Sequence, residues 1–124
     1  MWTIRDAQMA VLARIGEREA EERALKHLRG SAPQTCDSMP DAALRAVVAR
    51  GHARARHYGF HDEYDFFRYL NLMFVLGFEF DTDARYPWAA RALNRQDLAG
   101  RVKMDALMDR ALLYCSTSPR ERTA

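Results

Sequence analysis

The sequence predicts an all-α protein, a single-domain bundle of about five helices around a central hydrophobic helix at about 62–76. Apolar residues recur at helical spacing in several segments, and glycines and prolines separate those segments. No strand-like alternation lasts beyond a few residues. With 124 residues, 48% of them hydrophobic, the chain is long enough to bury one core. We predict one helical domain over 1–115 and a disordered tail over 116–124, which lacks an apolar anchor.

The first helix is expected to begin near residue 4, because Thr3 and Asp6 have the spacing of a capping box. Helical spacing of apolar residues then continues as far as Leu28. Gly30 is the predicted stop. The turn-forming residues of 30–40 predict a loop without regular structure.

A second capping-box pattern, at Ser38 and Asp41, predicts the start of the next helix. Its apolar stripe runs from Leu44 to Tyr58, and Gly59 is expected to end it. The sequence therefore predicts a helix whose one apolar side faces the core.

The third helix, at about 62–76, is apolar on nearly every side and is expected to stop at Gly77. Such a helix is typical of the element against which the others pack. Its apolar run, 66–80, contains Arg68 and Asn71 and is shorter than the roughly twenty residues that cross a membrane. We therefore expect a core helix and no membrane association.

Two further helices are predicted in the last third of the chain. Pro87 is suited to the first turn of a short helix that ends near residue 93. Asn94 and Asp97 are candidates for capping the next helix, whose apolar stripe runs from Met104 to Cys115.

The segment "FEFDTDARYPWA" (78–89) places Asp81 and Asp83 two residues apart. Paired carboxylates serve acid–base catalysis or bind metals, but a calcium loop needs ligands at intervals that Arg85 interrupts. The interpretation we favour is a structural corner, in which the aspartates bind turn or helix-start amides. Pro87 then sets the direction of the following helix and Trp88 anchors it.

Composition and charge restrict the classes of function. Nineteen basic and seventeen acidic residues leave a net charge of +2, which is too small to indicate nucleic acid as a partner. The first residues lack the apolar core of a signal peptide, and two cysteines make no disulfide framework. We therefore expect a cytoplasmic protein with free thiols at Cys36 and Cys115 and without a cofactor.

The most basic segment, 45–61, would place Arg50, Arg54 and His57 on one flank of the second helix and Arg56 on the other. One interpretation is a site for an acidic partner or a nucleic-acid backbone. The alternative is pairing with the acids of 16–23, because the first two helices would be antiparallel neighbours.

Aromatic residues of the third helix form a second candidate surface. Phe66, Phe67 and Tyr69, together with Phe74, exceed what four partner helices are expected to cover. An exposed aromatic face is typical of a binding site, so we expect this helix to contact another protein or a second copy of the chain.

Histidines offer a weaker candidate site. His57 and His61 have the i, i+4 spacing of a metal pair, but Gly59 between them is expected to break the helix that would align them. We therefore predict no metal site. We also predict no enzymatic activity, with a small enzyme that uses Asp81 and Asp83 as an alternative.

Several motifs in combination resemble a family of small all-helical bacterial proteins found beside genes for type VI secretion effectors and spike-tip proteins. They are "IRDAQM" (4–9), "YGF" (58–60), Glu63, "RYLNLMFVLG" (68–77), "FDTD" (80–83) and "YPWA" (86–89). Phe60 and His61 depart from the pattern, which has smaller or polar residues there. The resemblance implies a non-enzymatic adaptor or chaperone that binds an exported effector or a spike component. An immunity protein that neutralises a cognate toxin and a nucleic-acid-binding helical domain are the alternatives.

Overall fold

A computed structural model describes residues 4–116, with side chains described at residue 8 and over 15–116. Every regular element in this range is an α-helix, which confirms the predicted fold class. The helices are α1 (Ile4–Ser31), α2 (Pro33–Asp37), α3 (Asp41–His57), α4 (Glu63–Leu76), α5 (Pro87–Leu93) and α6 (Gly100–Ser116). The predicted capping box at Thr3 and the tail after Ser116 lie outside the described residues.

The chain divides into two compact units between Ala49 and Arg50, within α3. Each unit has its own buried residues. The prediction of one domain over 1–115 stays a prediction. In the described part of the chain, none of the helices combines the length and the apolar character that a membrane crossing requires.

In the first unit, α1 contacts α2, and the buried side chains come from α1, α2 and the start of α3. They are Ala24, Leu25, Leu28, Cys36, Leu44 and Val48. The expected loop over 30–40 is wrong, because Pro33 begins a short helix in which the Cys36 amide donates to the Ala32 carbonyl (3.1 Å). Burial of Cys36 stabilises this turn.

Two predicted helix boundaries in the first unit need correction. Gly30 is helical, and α1 ends one residue later. Ser38 does not cap α3, because its hydroxyl donates to the Thr35 carbonyl (2.7 Å) and so closes α2. α3 therefore begins at Asp41, later than a cap at Ser38 would place it.

In the second unit, α4 supplies a large share of the core. Its buried residues are Asp65, Phe66, Tyr69, Leu70, Leu72, Met73 and Leu76. Gly51 permits a close approach between α3 and α4, because a Cβ there would lie 2.6 Å from Leu70 Cδ2. The Asp62 carboxylate caps α4 by accepting from the Asp65 amide (2.8 Å), and Gly77, with φ of 126°, ends the helix as predicted.

α6 packs against both α4 and α5. The short helix α5 spans the predicted residues and begins at Pro87. The expected caps of α6 are wrong. The side-chain amide of Asn94 donates through Nδ2 to the Ala90 carbonyl (2.8 Å), and Asp97 pairs with Arg95. Instead, α6 begins at Gly100, where a Cβ would lie 2.5 Å from the Gly59 carbonyl oxygen. Glycine at this position thus allows the start of α6 to approach the backbone of Gly59 closely.

Candidate functional site

The acidic corner (78–89) joins α4 to α5, and Asp81 is its buried residue. One carboxylate oxygen accepts from Arg54 Nη1 (2.9 Å) and the other accepts from the Tyr58 hydroxyl (2.8 Å). The expectation that this aspartate binds turn or helix-start amides is wrong. Asp81 instead ties the corner to the end of α3.

Arg54 makes further contacts at the corner. Its Nη1 donates to the Phe78 carbonyl (3.3 Å), and its Nη2 donates to Glu79 (2.8 Å). Glu79 also pairs with Arg50, and both of these side chains are about half exposed. Two members of the predicted basic flank are therefore engaged by acidic residues of the corner.

Asp83 has the local role that the sequence predicted. Its carboxylate accepts from the Arg85 amide (2.9 Å) and pairs with the Arg85 guanidinium (2.8 Å). This is the hydrogen bond by which an aspartate closes a turn two residues ahead. Hydrogen bonds from the Arg85 side chain and backbone hold the pKa of the Asp83 carboxyl below its usual range.

The tyrosines beside Asp81 stay protonated at neutral pH. Burial raises the pKa of the Tyr58 phenol to about 12, and the hydrogen bond to Asp81 acts in the same direction. Burial and the charge of Asp81 also raise the pKa of Tyr69, whose buried hydroxyl has no hydrogen-bond partner within the described residues. A phenol with a raised pKa is a hydrogen-bond donor and a poor general base at pH 7.

A second charged cluster joins α4 to α6. The buried Asp65 accepts from Arg68 (2.6 Å) and from Arg101 (3.1 Å). Arg68 also pairs with Asp105 on α6 (2.7 Å), and Arg101 pairs with Asp62. Each carboxylate therefore has a cationic partner, which indicates a structural clamp between two helices.

A third polar group, Lys103, is buried in the second unit. Its ammonium donates to the Tyr58 carbonyl (2.8 Å) and to the carbonyl of Leu93, the last residue of α5 (3.1 Å). A cation at helix C-termini complements the helix dipole and binds carbonyls that lack a helical partner. Lys103 thus joins the ends of α3 and α5.

The predicted aromatic face is partly wrong. Phe66 and Tyr69 are buried, because their spacing places them on the side of α4 that faces the core. Phe66 stacks on His52 with ring centroids 4.3 Å apart, and Tyr69 lies 5.1 Å from Phe80. Phe67 is half-buried. The first two residues are therefore core residues and are unavailable to a partner.

The remaining residues of the predicted basic flank lie at the end of α3. Arg56 and His57 are exposed, and the His57 ring meets the Tyr58 ring edge-on at 5.0 Å. Gly59 has φ of 92° and follows the end of the helix, as predicted, so His57 and His61 do not share a helix. Among the described side chains, at residue 8 and over 15–116, no group of three or more potential metal ligands is found.

An aromatic cluster between α5 and α6 was not predicted from the sequence. Trp88 lies 5.9 Å from Tyr86 and 6.0 Å from Tyr114, measured between ring centroids. Tyr86 is buried, whereas the other two rings are half-buried. The predicted role of Trp88 as an anchor fits these contacts. Nothing in the sequence around Tyr114 indicated its contacts with Tyr86 and Trp88.

In comparisons with models of protein families, with curated proteins and with solved structures, nothing matches this chain.

Proposed function

We propose that the chain is a non-enzymatic binding protein, an adaptor or chaperone of an exported bacterial effector or of a secretion spike component. The observation that carries this proposal is the use of its buried polar groups. Asp65, Asp81 and Lys103 each make their hydrogen bonds to other groups of the same chain. Groups of this kind fix the positions of helices. They support a protein that acts by binding another molecule.

The chemistry of the corner supports the non-enzymatic part of the proposal. A general base needs an oxygen that is free to accept a proton from a substrate. Both oxygens of Asp81 accept from groups of the protein, and Asp83 is paired with its neighbour Arg85. A structural role accounts for both carboxylates.

The choice of partner rests on the resemblance described above to small helical proteins found beside secretion genes. The exposed apolar residues Val102, Leu112 and Leu113 on α6 are compatible with a protein that acts by binding. Partners of this kind are expected to bind through shape and contact, in the way that helical adaptors do.

The test is co-expression of the tagged chain with the effector or spike protein encoded beside its gene. We expect the two proteins to co-purify, and we expect deletion of the gene to reduce secretion of that effector. An unrelated exported protein from the same cell serves as the control and should not co-purify. Protection of the cell from the toxin without any change in secretion would contradict the escort role and indicate immunity. Absence of a complex would contradict both.

A further inference from the structure

The Tyr69 side chain is fully buried in the second unit, and its hydroxyl has no hydrogen-bond partner among the residues that the structure describes. Its ring packs against the rings of Tyr58, Phe60 and Phe80, with centroids 6.2, 6.1 and 5.1 Å away. Buried hydroxyls in folded proteins nearly always have a partner, because an unpaired one costs the free energy of its lost hydration. The Tyr69 hydroxyl therefore needs a partner that the described groups do not supply.

This hydroxyl lies within electrostatic range of the acidic corner. Burial is the main cause of the raised pKa of the Tyr69 phenol, and the charge of Asp81 adds to it, whereas that of Arg54 acts in the opposite direction. Tyr69 and Asp81 nevertheless make no direct hydrogen bond. The phenol and the carboxylate are therefore near each other and remain unlinked by protein groups.

The Asp81 carboxylate can accept more hydrogen bonds than the described groups donate to it. Its two oxygens together have about four lone-pair positions. One oxygen accepts from Arg54 (2.9 Å), and the other accepts from Tyr58 (2.8 Å). Each oxygen thus keeps the capacity to accept from one further donor.

Rotation of the Tyr69 ring does not bring its hydroxyl oxygen to Asp81. That oxygen lies on the axis of the Cβ–Cγ bond, so turning the ring about this bond leaves it in place. A change of χ1 would move the whole ring, which is held among three other rings in a closely packed core. The link to Asp81 therefore requires a small molecule between the two groups.

Water has the chemistry that this position requires. It accepts from a phenol and donates to a carboxylate at the same time, and buried waters typically bind groups that otherwise lack a partner. A neutral molecule is favoured, because Asp81 repels an anion and Arg54 repels a cation. Tyr58 is half-buried and the Arg54 side chain is 24% exposed, so the cluster lies close to the surface and water has a short path to it.

We propose that a buried water molecule links the Tyr69 hydroxyl to the Asp81 carboxylate. The phenol donates to the water, and the water donates to a carboxylate oxygen. Because Asp81 also binds Arg54 and Tyr58, this water joins α4 to the corner and to the end of α3. The inference goes beyond the proposed function and does not depend on it.

The sign of the stability change in Tyr69→Phe tests the proposal, because this substitution removes only the hydroxyl. Loss of the water-mediated hydrogen bonds should increase the equilibrium constant for unfolding about two- to tenfold, measured by urea titration. Removal of a hydroxyl that lacks any partner would instead decrease that constant, since its hydration penalty would disappear. Tyr64→Phe is the matched control, because Tyr64 is 58% exposed, and we expect its stability to be unchanged.

A crystal structure of the wild-type chain at high resolution tests the water itself. We expect an ordered water whose oxygen lies about 2.5–3.0 Å from both the Tyr69 hydroxyl and an Asp81 carboxylate oxygen. Three results would overturn the inference: a direct hydrogen bond between Tyr69 and Asp81, a crystal structure without this water, or unchanged or increased stability in Tyr69→Phe.

Discussion

Two aspartates in one short corner have different physical roles. The Asp81 side chain is almost fully buried and is held by Arg54 and Tyr58. Asp83 is more exposed and is held by Arg85, which is itself 71% exposed. Breaking a buried charged pair costs far more than breaking an exposed one, because the remaining charge loses its compensation. Substitution of Asp81 should therefore lower the free energy of unfolding more than substitution of Asp83, and neither substitution should remove a catalytic group.

We expect Asp81→Asn to lower the free energy of unfolding by about 1–3 kcal/mol. The amide retains one carbonyl acceptor, so one of the two donors, Arg54 or Tyr58, loses its acceptor. The remaining pair of Arg54 with Glu79 limits the loss. Urea unfolding followed by circular dichroism measures the change.

The matched control is Asp83→Asn. Asparagine keeps the acceptor for the Arg85 amide and loses an exposed ion pair, so stability should change by less than about 0.5 kcal/mol. Equal losses of stability in the two variants would contradict the different roles. Loss of an enzymatic activity with the fold intact would refute the structural interpretation of the corner.

The two aspartates of the corner also differ in how far their partners could be predicted from the sequence. The role of Asp83 depends on an amide two residues ahead, so local spacing was sufficient to predict it. The partners of Asp81 lie 27 and 23 residues earlier in the chain. No local pattern specifies which basic residue the folded chain brings to a given carboxylate. The pairing of Arg45 with Glu22 agrees with the alternative that the acids of 16–23 meet the basic segment, which depended on two antiparallel neighbouring helices. The pairing of Arg50 with Glu79 was not predicted, because the two residues are far apart in the chain.

Among the helices, the spacing of apolar residues and the positions of glycine and proline predicted the long elements well. Pro87 and Gly77 mark helix boundaries because their effects are local. The helix α2 was missed because its five residues are too few for a hydrophobic period. Its first residue, Pro33, and the nearby Gly30 are also typical of loops. Short helices that depend on burial of one side chain, here Cys36, leave little trace in the sequence.

Close contact at the start of α6 leads to a prediction for Gly100→Ala. Alanine favours helix by about 1 kcal/mol over glycine, but its Cβ would lie 2.5 Å from the Gly59 carbonyl oxygen. Backbone cannot rotate away as a side chain can, so α6 must shift. We expect a net loss of about 1–3 kcal/mol in the free energy of unfolding, measured by urea titration.

Gly16→Ala in α1 provides the control for that prediction. Apart from its chain neighbours and the backbone of its own helix, no heavy atom lies within 4 Å of the Cβ that it would add, so the helix preference of alanine should act alone. We expect a gain of about 0.5–1 kcal/mol. A gain of stability in Gly100→Ala would contradict the proposed close contact, and a loss in Gly16→Ala would contradict the reference.

For the molecule as a whole, the fold class was predictable from the sequence, and the side of each helix that is buried was not. Helical periodicity needs only an apolar residue at every third or fourth position, so it can be recognised without knowledge of the tertiary contacts. The sequence of α4 is apolar all round, so it could not indicate that Phe66 and Tyr69 face the core while Val75 is exposed. The exposure of Val102, Leu112 and Leu113 on α6 was not predicted for a related reason, since the sequence alone does not reveal which apolar residues the neighbouring helices cover.

Charge is distributed through both units mainly as exposed carboxylates that accept from arginines. Hydrogen bonds from arginine hold the pKa of Asp41 and of Glu79 below their usual ranges. For Asp62 the chief cause is the hydrogen bond from the Asp65 amide, with Arg101 acting in the same direction. The pKa of Asp97 falls to about 2 beside Arg95. Each of these groups therefore holds its proton more weakly in the folded chain than in the unfolded chain.

This difference predicts how stability depends on pH. A carboxylate with a lowered folded pKa stabilises the protein above its unfolded pKa, which is near 4, and loses that effect as pH falls through the folded pKa. We therefore expect the urea midpoint to fall progressively between about pH 5 and about pH 2. Added salt should reduce the fall, because these pairs are mostly exposed. In Asp97→Asn, the loss between about pH 4 and about pH 2 should be smaller, since that group no longer takes up a proton on unfolding. A midpoint that stays constant, or rises, as pH falls over this range would contradict the assignment of these ion pairs.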